Sequence, residues 1–272
     1  MASYNEIPVS TLARLVGTPD CPVILDVRIE EDFDADPRLI PGASRQPFLD
    51  VVDLADGFRD RSVVVYCQKG LKISQGAAAM LRSEGVQAEV LEGGQIAWRD
   101  AGHPMVLADK LPPLDATGRT VWVTRHRPKI DRIACPWLVR RFVDPRARFL
   151  FVAASQVSSV AERFSATPFD VEGVYWSHRG EKCTFDTMIE EFGIGSEPLA
   201  RLAKIVRGAD TNKLDLAPEA AGLLAASLGL SRMFRDDLEQ LEAGLTIYDA
   251  FYRWARDATD EVHDWPAAST KA

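Results

Sequence analysis

Three short apolar runs, separated by helical patterns, constrain the fold of this chain more than any other feature of its sequence. The runs cover residues 23–25, 63–66 and 86–91. Continuous apolar runs of this length are typical of central strands that are covered on both faces, and residues 74–83 predict a helix between two of them. This order predicts an α/β fold with a parallel sheet flanked by helices. Since ligands bind at the carboxyl ends of such strands, Asp26 and Cys67 are candidates for function.

A change of pattern divides the chain in two. Residues 103–118 contain three prolines without clear periodicity, which is typical of a connecting segment. Beyond it, strands are predicted near 121–124 and 149–153, and helical patterns dominate after about residue 184. We therefore predict that a mainly helical α+β domain follows the α/β domain. The expected organisation is a first domain over 1–107, a linker over 108–118, a second domain over 119–260 and a tail over 261–272.

The composition excludes several broad classes of protein. Forty Asp and Glu residues against 32 Lys and Arg residues give a formal net charge of −8, whereas a nonspecific nucleic-acid coat protein needs a broadly basic surface. Four widely spaced cysteines are too few for a disulfide-built scaffold. The first ten residues do not resemble a signal peptide, and the most apolar stretch is too short to span a bilayer. We expect a cytoplasmic protein with reduced thiols and no membrane partner.

The strongest chemical signal follows the second apolar run. Cys67 ends a predicted buried strand, Gly70 lies in the loop behind it, and a helix begins near Ser74. Backbone N–H groups of such a loop, together with the helix dipole, favour negative charge on the sulfur, and Lys69 and Lys72 add positive potential. These effects lower the pKa of a thiol, so we predict that Cys67 is a nucleophile. The alternative is a structural cysteine buried in a strand.

The loop and its surroundings resemble the rhodanese family over about residues 8–106. The matching elements are Leu-Asp-Val-Arg at 25–28, Ile-Pro-Gly-Ala at 40–43, the Cys67 loop, and Leu-Glu-Gly-Gly at 91–94 followed by Ala97 and Trp98. The resemblance implies a rhodanese-like sheet and a catalytic persulfide on Cys67, and it gives Asp26 and Arg28 a structural role. The transferred sulfur would lie in a cradle of loop amides from Gln68, Lys69, Gly70, Leu71 and Lys72.

The same resemblance implies a small sulfur donor, a thiol acceptor and no cofactor for sulfur transfer. The six-residue loop is similar to that of sulfur-transferring members, because the phosphatase-like relatives have a longer one. Many active members carry arginine at the positions of Gln68 and Lys72. A noncatalytic module that binds a persulfide or an anion therefore stays open as an alternative.

The second half of the chain resembles the chromate-resistance domain of ChrB-type proteins over about residues 119–258. The matching segments are residues 122–145, 178–186, 205–210 and 248–250. The resemblance implies a role in chromate resistance, and it leaves the biochemical activity of the domain open.

Arg132, Arg140 and Arg141 form a candidate oxyanion site in this domain. Residues 119–148 hold nine Lys and Arg residues against two acidic ones, and a helix is predicted over 131–142 with Asp131 as its N-cap. Arg132 and Arg140 are eight residues apart and share a helical face. Arginine forks match oxyanions such as chromate. The alternative is a solvated face with local salt bridges.

His178, Glu181 and Cys183 form a candidate metal site. Imidazole, carboxylate and thiolate together suit zinc, and iron is a second candidate. A fourth ligand would be water or a distant group such as Asp210, and neighbouring cations at 179 and 182 are expected to lower the pKa of Cys183. The alternative is a polar segment that caps a helix starting near Thr184.

These features predict a rhodanese-type sulfurtransferase coupled to a chromate-resistance domain that binds a metal or an oxyanion. The alternative is a chromate-responsive regulator or sensor, binding DNA or an oxyanion, whose rhodanese module is noncatalytic. Nucleic acid is the weaker partner, since the chain is acidic and shows no clear helix-turn-helix pattern.

Overall fold

The amino-terminal region is built on a five-stranded parallel sheet, as the apolar runs predict. The computed structural model describes residues 5–261. The elements of this region are β1 (Glu6–Ile7), α1 (Val9–Leu15), β2 (Val23–Asp26), α2 (Glu30–Ala35), β3 (Arg38–Leu39), β4 (Ala43–Arg45), β5 (Val63–Tyr66), α3 (Lys72–Ser83), β6 (Ala88–Leu91), α4 (Gly94–Asp100) and β7 (Val106–Leu107). The strand order is β1-β6-β5-β2-β4, and β3 pairs antiparallel with β7 outside this sheet.

Alternate residues of β5 enter two different apolar cores. Val63 and Val65 pack on the side of α3, and Val64 and Tyr66 pack on the opposite side. Both faces of the strand are covered, which explains why its sequence is continuously apolar. Cys67 continues the alternation and lies on the α3 side of the sheet.

As far as residue 261, the carboxyl-terminal region has a smaller sheet and six α-helices, which confirms the expected α+β class. Its elements are β8 (Val121–Arg125), α5 (Asp131–Leu138), β9 (Arg148–Val152), α6 (Val157–Phe164), β10 (Thr167–Pro168), α7 (Thr184–Phe192), α8 (Glu197–Asp210), α9 (Ala220–Met233) and α10 (Asp237–Asp257). The strands run parallel in the order β10-β8-β9. Helices α5, α7, α8 and α10 pack together.

The single helix expected over 131–142 changes its geometry part-way. The α-helix ends at Leu138, and residues Val139–Val143 form a π-helical turn. Pro136 lies inside α5 and has no N–H to donate to the preceding turn. A wider turn of this kind changes the helical phase of the residues after it, so the spacing of Arg132 and Arg140 does not place them on one regular helical face.

The two regions share one apolar core. The rings of Phe142 and Tyr252, from the second region, pack directly against Gly17 in the first region. A Cβ atom on Gly17 would lie 2.5 Å from the Phe142 ring and 2.9 Å from the Tyr252 ring. The N–H of Gly42 also donates a hydrogen bond to the Phe142 carbonyl at 2.7 Å. Part of the connecting segment is itself packed, since Val106 in β7 is buried. The tail predicted over 261–272 lies outside the described residues except for its first position.

Among residues 5–261, none of the helices is long and apolar enough to cross a membrane.

Candidate functional site

The Cys67 loop is held in place by backbone contacts. β5 ends at Tyr66 and α3 begins at Lys72, so residues 67–71 bridge the carboxyl end of a central strand and the amino end of a helix. The carbonyls of Cys67 and Gln68 accept hydrogen bonds from the N–H groups of Gln95 and Ile96, at 3.0 and 3.1 Å. The first turn of α4 therefore fixes the position of the loop backbone.

Two glycines make this close approach possible. Gly70 and Gly94 have φ angles of +68° and +62°, which residues other than glycine rarely adopt. A Cβ atom on Gly94 would lie 2.3 Å from the Cys67 carbonyl oxygen, and one on Gly70 would lie 2.5 Å from the Leu91 carbonyl oxygen. The loop geometry thus requires both glycines.

The Cys67 thiol is buried and surrounded by hydrogen-bond donors. Its Sγ lies 3.2 Å from the Ser74 hydroxyl, whose Oγ is also 3.1 Å from the Leu71 carbonyl oxygen. Burial acts to raise the pKa of Cys67, but the Ser74 hydroxyl and the backbone N–H groups of Ser74, Leu71 and Lys69 outweigh it and hold this pKa below its ordinary value. The hydrogen bonds, rather than the lysine charges expected from the sequence, provide the lowering.

The other three cysteines differ from Cys67. Burial raises the pKa of Cys21 to about 12, and it raises the pKa values of Cys135 and Cys183 well above the ordinary value. All four thiols are free. Cys67 is therefore the cysteine whose surroundings favour a thiolate.

Asp26 and Arg28 form a buried pair beside the sheet. The Arg28 guanidinium lies 2.6 Å from the Asp26 carboxylate, and it also donates to the carbonyls of Asp36 and Arg38 at 2.8 Å. Both side chains are fully buried. Their contacts are all within the fold, as expected for structural residues.

A second cluster of polar side chains lies around His178. Its Nε2 atom is 3.4 Å from Asp131 Oδ2, 3.5 Å from Asp170 Oδ1 and 3.2 Å from Asp210 Oδ2. Asp131 begins α5, Asp170 follows β10, Asp210 ends α8, and His178 precedes α7. Three distant stretches of the chain, namely the start of α5, the connection between β10 and α7, and the end of α8, therefore meet at one imidazole.

Neighbouring groups fix the carboxylates of this cluster. The N–H of Thr184 donates to Asp131 Oδ2 at 2.5 Å, and its hydroxyl donates to Asp170 Oδ1 at 3.0 Å. Arg132 and Arg125 lie 3.2 and 3.3 Å from Asp170 Oδ2. The first residue of α7 thus orients two carboxylates, and two arginines hold the second of them.

The backbone is strained beside the cluster. Ile130, directly before Asp131, has a φ of +39°, which is rare for a β-branched residue. Its N–H donates to the Ser227 hydroxyl and its carbonyl accepts a hydrogen bond from the Tyr248 hydroxyl. Asp170 also has a positive φ, of +51°. Surrounding contacts hold both conformations.

The charges within the cluster are strongly coupled. Hydrogen bonds to the three aspartates raise the pKa of His178 to about 12, while burial and the nearby Asp210 and Asp170 charges raise the pKa of Asp131 to about 7 against the effect of His178. Without another cation the imidazole is therefore protonated at neutral pH. A divalent metal ion would replace that proton in neutralising the carboxylates.

Comparison with known proteins assigns both regions. The family of rhodanese-like domains matches residues 9–101, and the family of ChrB C-terminal domains matches residues 122–255. The chain joins a rhodanese-like domain to a ChrB C-terminal domain.

Individual relatives cover different shares of the chain. Protein ChrB of Cupriavidus metallidurans is 29% identical over 192 residues, which is 65% of this chain and 57% of that protein. A sulfurtransferase of Allochromatium vinosum is 28% identical over 103 residues, which is 38% of this chain and 94% of that protein. A rhodanese-related protein of Thermoplasma volcanium is a structural neighbour with 25% identity and a TM-score of 0.33, covering 38% of this chain and 99% of that one.

The ChrB C-terminal domain does not gather the three metal-binding residues expected from the sequence. Glu181 is exposed and pairs with Lys213 at 2.8 Å. Cys183 is fully buried as the N-cap of α7, where its N–H donates to Asp186 at 3.0 Å. Burial raises the pKa of Cys183, opposite to the expected direction, and the cations at 179 and 182 pair with Glu191 and Glu190 instead. Of the three, only His178 lies in the carboxylate cluster.

Asp131 does not cap α5 as expected. It is the first residue of the helix, Ile130 occupies the N-cap position, and no side chain caps this end. Its carboxylate instead accepts the Thr184 N–H and faces His178. Asp131 therefore makes contacts with residues distant in the sequence instead of capping its own helix.

The three arginines of the candidate oxyanion site point to different partners. Arg132 lies against Asp170, Arg140 lies 2.5 Å from Glu242, and Arg141 makes a two-pronged contact with Asp249 at 2.8 Å. The structure therefore does not bring their guanidinium groups together, and the arrangement matches the salt-bridge alternative.

Acidic residues also pair with two further cations of the basic stretch over 119–148. Arg119 pairs with Asp115 and Arg125 with Asp170, while Arg127 donates to the backbone carbonyl of Phe234. Five of its nine cations thus have a carboxylate partner. The local excess of positive charge in the sequence does not become an equally basic surface in the fold.

Sequence reasoning missed most of the carboxylate cluster. Asp170 lies in no recognisable motif, and the position of Asp131 in the sequence suggests a helix cap instead of a ligand. Asp210 could be suggested only as a distant fourth ligand. Their common feature is proximity to His178, which arises from packing of α5, α7 and α8.

Proposed function

We propose that the rhodanese-like domain is a sulfurtransferase that carries sulfur as a persulfide on Cys67. The observation that carries this proposal is the position of Cys67 Sγ inside a loop whose N–H groups and Ser74 hydroxyl lower the pKa of the thiol. A thiolate at the end of a strand, facing converging donors, is suited to attack on sulfur and to holding the negative charge of a persulfide.

The reaction needs no cofactor. With thiosulfate as donor, the Cys67 thiolate attacks the outer sulfur, the bond between the two sulfurs of thiosulfate breaks, and sulfite leaves with its electron pair. A nucleophilic acceptor then attacks the outer sulfur of the persulfide, and the Cys67 thiolate leaves in its original form. With cyanide as acceptor the product is thiocyanate. A thiol acceptor receives the sulfur in the same way, so the enzyme is unchanged after each cycle.

The entrance of the loop suits an anionic donor. Lys69 and Lys72 are exposed on either side of Leu71, which is itself 56% exposed. Two ammonium groups attract a small dianion without fixing its orientation as an arginine fork would. The backbone amides that face Cys67 provide the orientation instead.

The relatives support this proposal. The Allochromatium vinosum sulfurtransferase matches this chain over 94% of its own length at 28% identity, and the match to the rhodanese-like family includes the Cys67 loop. For the second domain we propose a role in chromate resistance, which rests on its match to the ChrB C-terminal domain.

A cyanide-dependent assay tests the proposed activity. Purified wild-type protein should produce thiocyanate from thiosulfate and cyanide, and Cys67→Ser should reduce the rate to the uncatalysed background because serine cannot form the persulfide. Cys21→Ser is the matched control: its thiol has a raised pKa and lies outside the loop, so its rate should equal that of wild type. Thiocyanate formation that persists in Cys67→Ser would overturn the proposal. Inactivity of the wild type with both thiosulfate and polysulfide would do the same.

A further inference from the structure

We propose that the ChrB C-terminal domain binds one divalent first-row metal ion through Asp131, Asp170, Asp210 and His178. One ligand atom from each of Asp131, Asp170 and His178 lies within 4.8 Å of the others, and Asp210 Oδ2 is 3.2 Å from His178 Nε2. These distances are close to the separations between ligands on a shared ion. The site is independent of the sulfur chemistry proposed for Cys67.

An unpartnered buried oxygen indicates that the cluster is built for a ligand. The Asp131 side chain is fully buried, and its Oδ1 atom has no hydrogen-bond partner although Oδ2 accepts the Thr184 N–H. A buried carboxylate oxygen without a partner is costly, because it has lost its water and gained nothing in return. This oxygen belongs to the carboxylate that faces His178, where a cation would satisfy it.

The groups around the cluster hold the carboxylates in fixed positions. Thr184 contacts both Asp131 and Asp170, and the Asp210 carboxylate lies 3.5 Å from the Asp131 backbone N–H. Such supporting hydrogen bonds orient ligands before a metal ion arrives. Arg125 and Arg132 also balance charge: three carboxylates and one divalent ion leave a net charge of −1, and the two guanidinium groups lie beside Asp170.

The donor set selects the kind of metal. Three carboxylates and one imidazole, without thiolate, suit Mn²⁺, Fe²⁺ or Zn²⁺ rather than a thiolate-seeking ion such as Cu⁺. Asp131 and Asp170 lie at the buried end of the cluster, whereas the His178 side chain is 40% exposed. The ion would therefore enter on the His178 side and keep a coordination position open to water.

A metal-free cluster would behave differently. In that case His178 is an imidazolium ion surrounded by carboxylates, and the four residues form a network of salt bridges. Both arrangements neutralise the aspartates, but only the metal site responds to Mn²⁺, Fe²⁺ or Zn²⁺ at concentrations far below those of nonspecific binding.

Manganese titration distinguishes the two arrangements without any substitution. Full-length protein without an affinity tag is stripped of metal, and MnCl₂ is added while the electron paramagnetic resonance signal of free aqueous Mn²⁺ is recorded. The proposal predicts that the signal is suppressed until one equivalent per chain has been added. Parallel samples with Fe²⁺ under nitrogen and with Zn²⁺ are analysed for bound metal after desalting. If none of the three ions is retained, the cluster is a salt-bridge network and the proposal is wrong.

Substitutions then identify the ligands. Asp131→Asn and His178→Gln should each weaken Mn²⁺ binding at least tenfold, whereas Glu181→Gln, whose carboxylate pairs with Lys213 on the surface, should leave it unchanged. Circular dichroism of each variant establishes that it is folded. Loss of metal in Glu181→Gln with retention in Asp131→Asn would overturn the assignment. Cys67→Ser should retain full metal binding, which separates this proposal from the sulfurtransferase proposal.

Discussion

The Cys67 loop and the His178 cluster are two sites built by opposite means. In the loop, backbone N–H groups and a nearby hydroxyl surround one side chain, and these donors follow Cys67 directly in the chain, ending at Ser74. In the cluster, four side chains from three separate segments face one another, and the nearest backbone contributions come from Thr184 and Asp131. A backbone-built site depends on local conformation, whereas a side-chain-built site depends on tertiary packing.

This difference determines how each site can be damaged. A methyl group added at Gly70 or Gly94 should displace the loop backbone and reduce activity, although no charge changes. The cluster should tolerate small backbone changes nearby and respond to the loss of one carboxylate. Both sites nevertheless lie in regions that share one apolar core, so global stability couples them.

The largest expected effect concerns this shared core. Phe142 is 2% exposed and packs against Gly17 and the ring of Tyr252. Phe142→Ala should lower the free energy of unfolding by about 3–5 kcal/mol, because it removes a large ring and leaves a cavity. We expect calorimetry to show one transition in wild type that moves as a whole in the variant. Phe164→Ala, at a side chain that is 63% exposed, is the control and should change little. Two transitions, of which only one moves, would mean that the regions fold independently.

The second effect concerns the backbone of the loop. Gly94→Ala places a methyl group against the Cys67 carbonyl at a positive φ, so unfolding should require about 3 kcal/mol less free energy. Thiocyanate formation should fall at least about tenfold, since the loop must shift. Gly76→Ala in α3 has open space around it and should instead stabilise the protein by about 0.5–1 kcal/mol. Equal activity of the two variants would show that the loop does not need this close approach.

The third effect concerns the thiolate. Ser74→Ala removes a hydrogen bond that lowers the pKa of Cys67, so this pKa should rise and the thiolate fraction at neutral pH should fall. Because a hydrogen bond to a charged group contributes about 1.5 kcal/mol, alkylation by iodoacetamide at a pH below the pKa should become about tenfold slower. The measurement is the pH profile of the alkylation rate. Ser83→Ala, in the same helix but hydrogen-bonded to Met80, should leave the profile in place. A profile that does not move in Ser74→Ala would mean that the backbone alone sets the pKa.

The smallest effect concerns the charges at the entrance of the loop. Lys72→Arg should lower the KM for thiosulfate by about twofold to threefold with little change in kcat, because a guanidinium fork binds an oxyanion through two hydrogen bonds. Lys204→Arg, on an exposed position of α8, is the control. An increase in kcat with unchanged KM would indicate that residue 72 acts on the reaction step rather than on donor binding.

The same contrast explains what the sequence predicts. The sheet, the helix after Cys67 and the boundaries of α7 follow from apolar periodicity and from signals that lie within a few residues of each other. The Cys67 site is predictable for the same reason. Only the origin of the lowered pKa differs, since hydrogen bonds from Ser74 and the loop amides, rather than the expected lysine charges, lower the pKa of Cys67.

The second site is not predictable by that route. His178, Glu181 and Cys183 are neighbours in the sequence, but packing of α7 buries the thiol, exposes the carboxylate and turns the imidazole towards Asp131, Asp170 and Asp210. Likewise, the π-helical turn after Leu138 and the acidic partners on α10 separate the arginines that an uninterrupted helix would align. In both cases residues far apart in the chain decide the outcome.

The most direct test of the central claim is the mass of the intact protein after exposure to thiosulfate or polysulfide under nitrogen, followed by peptide mapping. We predict one added sulfur atom, located on Cys67, that is released by cyanide and is not formed in Cys67→Ser. Cys21, Cys135 and Cys183 should stay unmodified, because burial raises the pKa of each thiol. A protein that gains no sulfur on Cys67, or that gains it equally on another cysteine, would contradict the account.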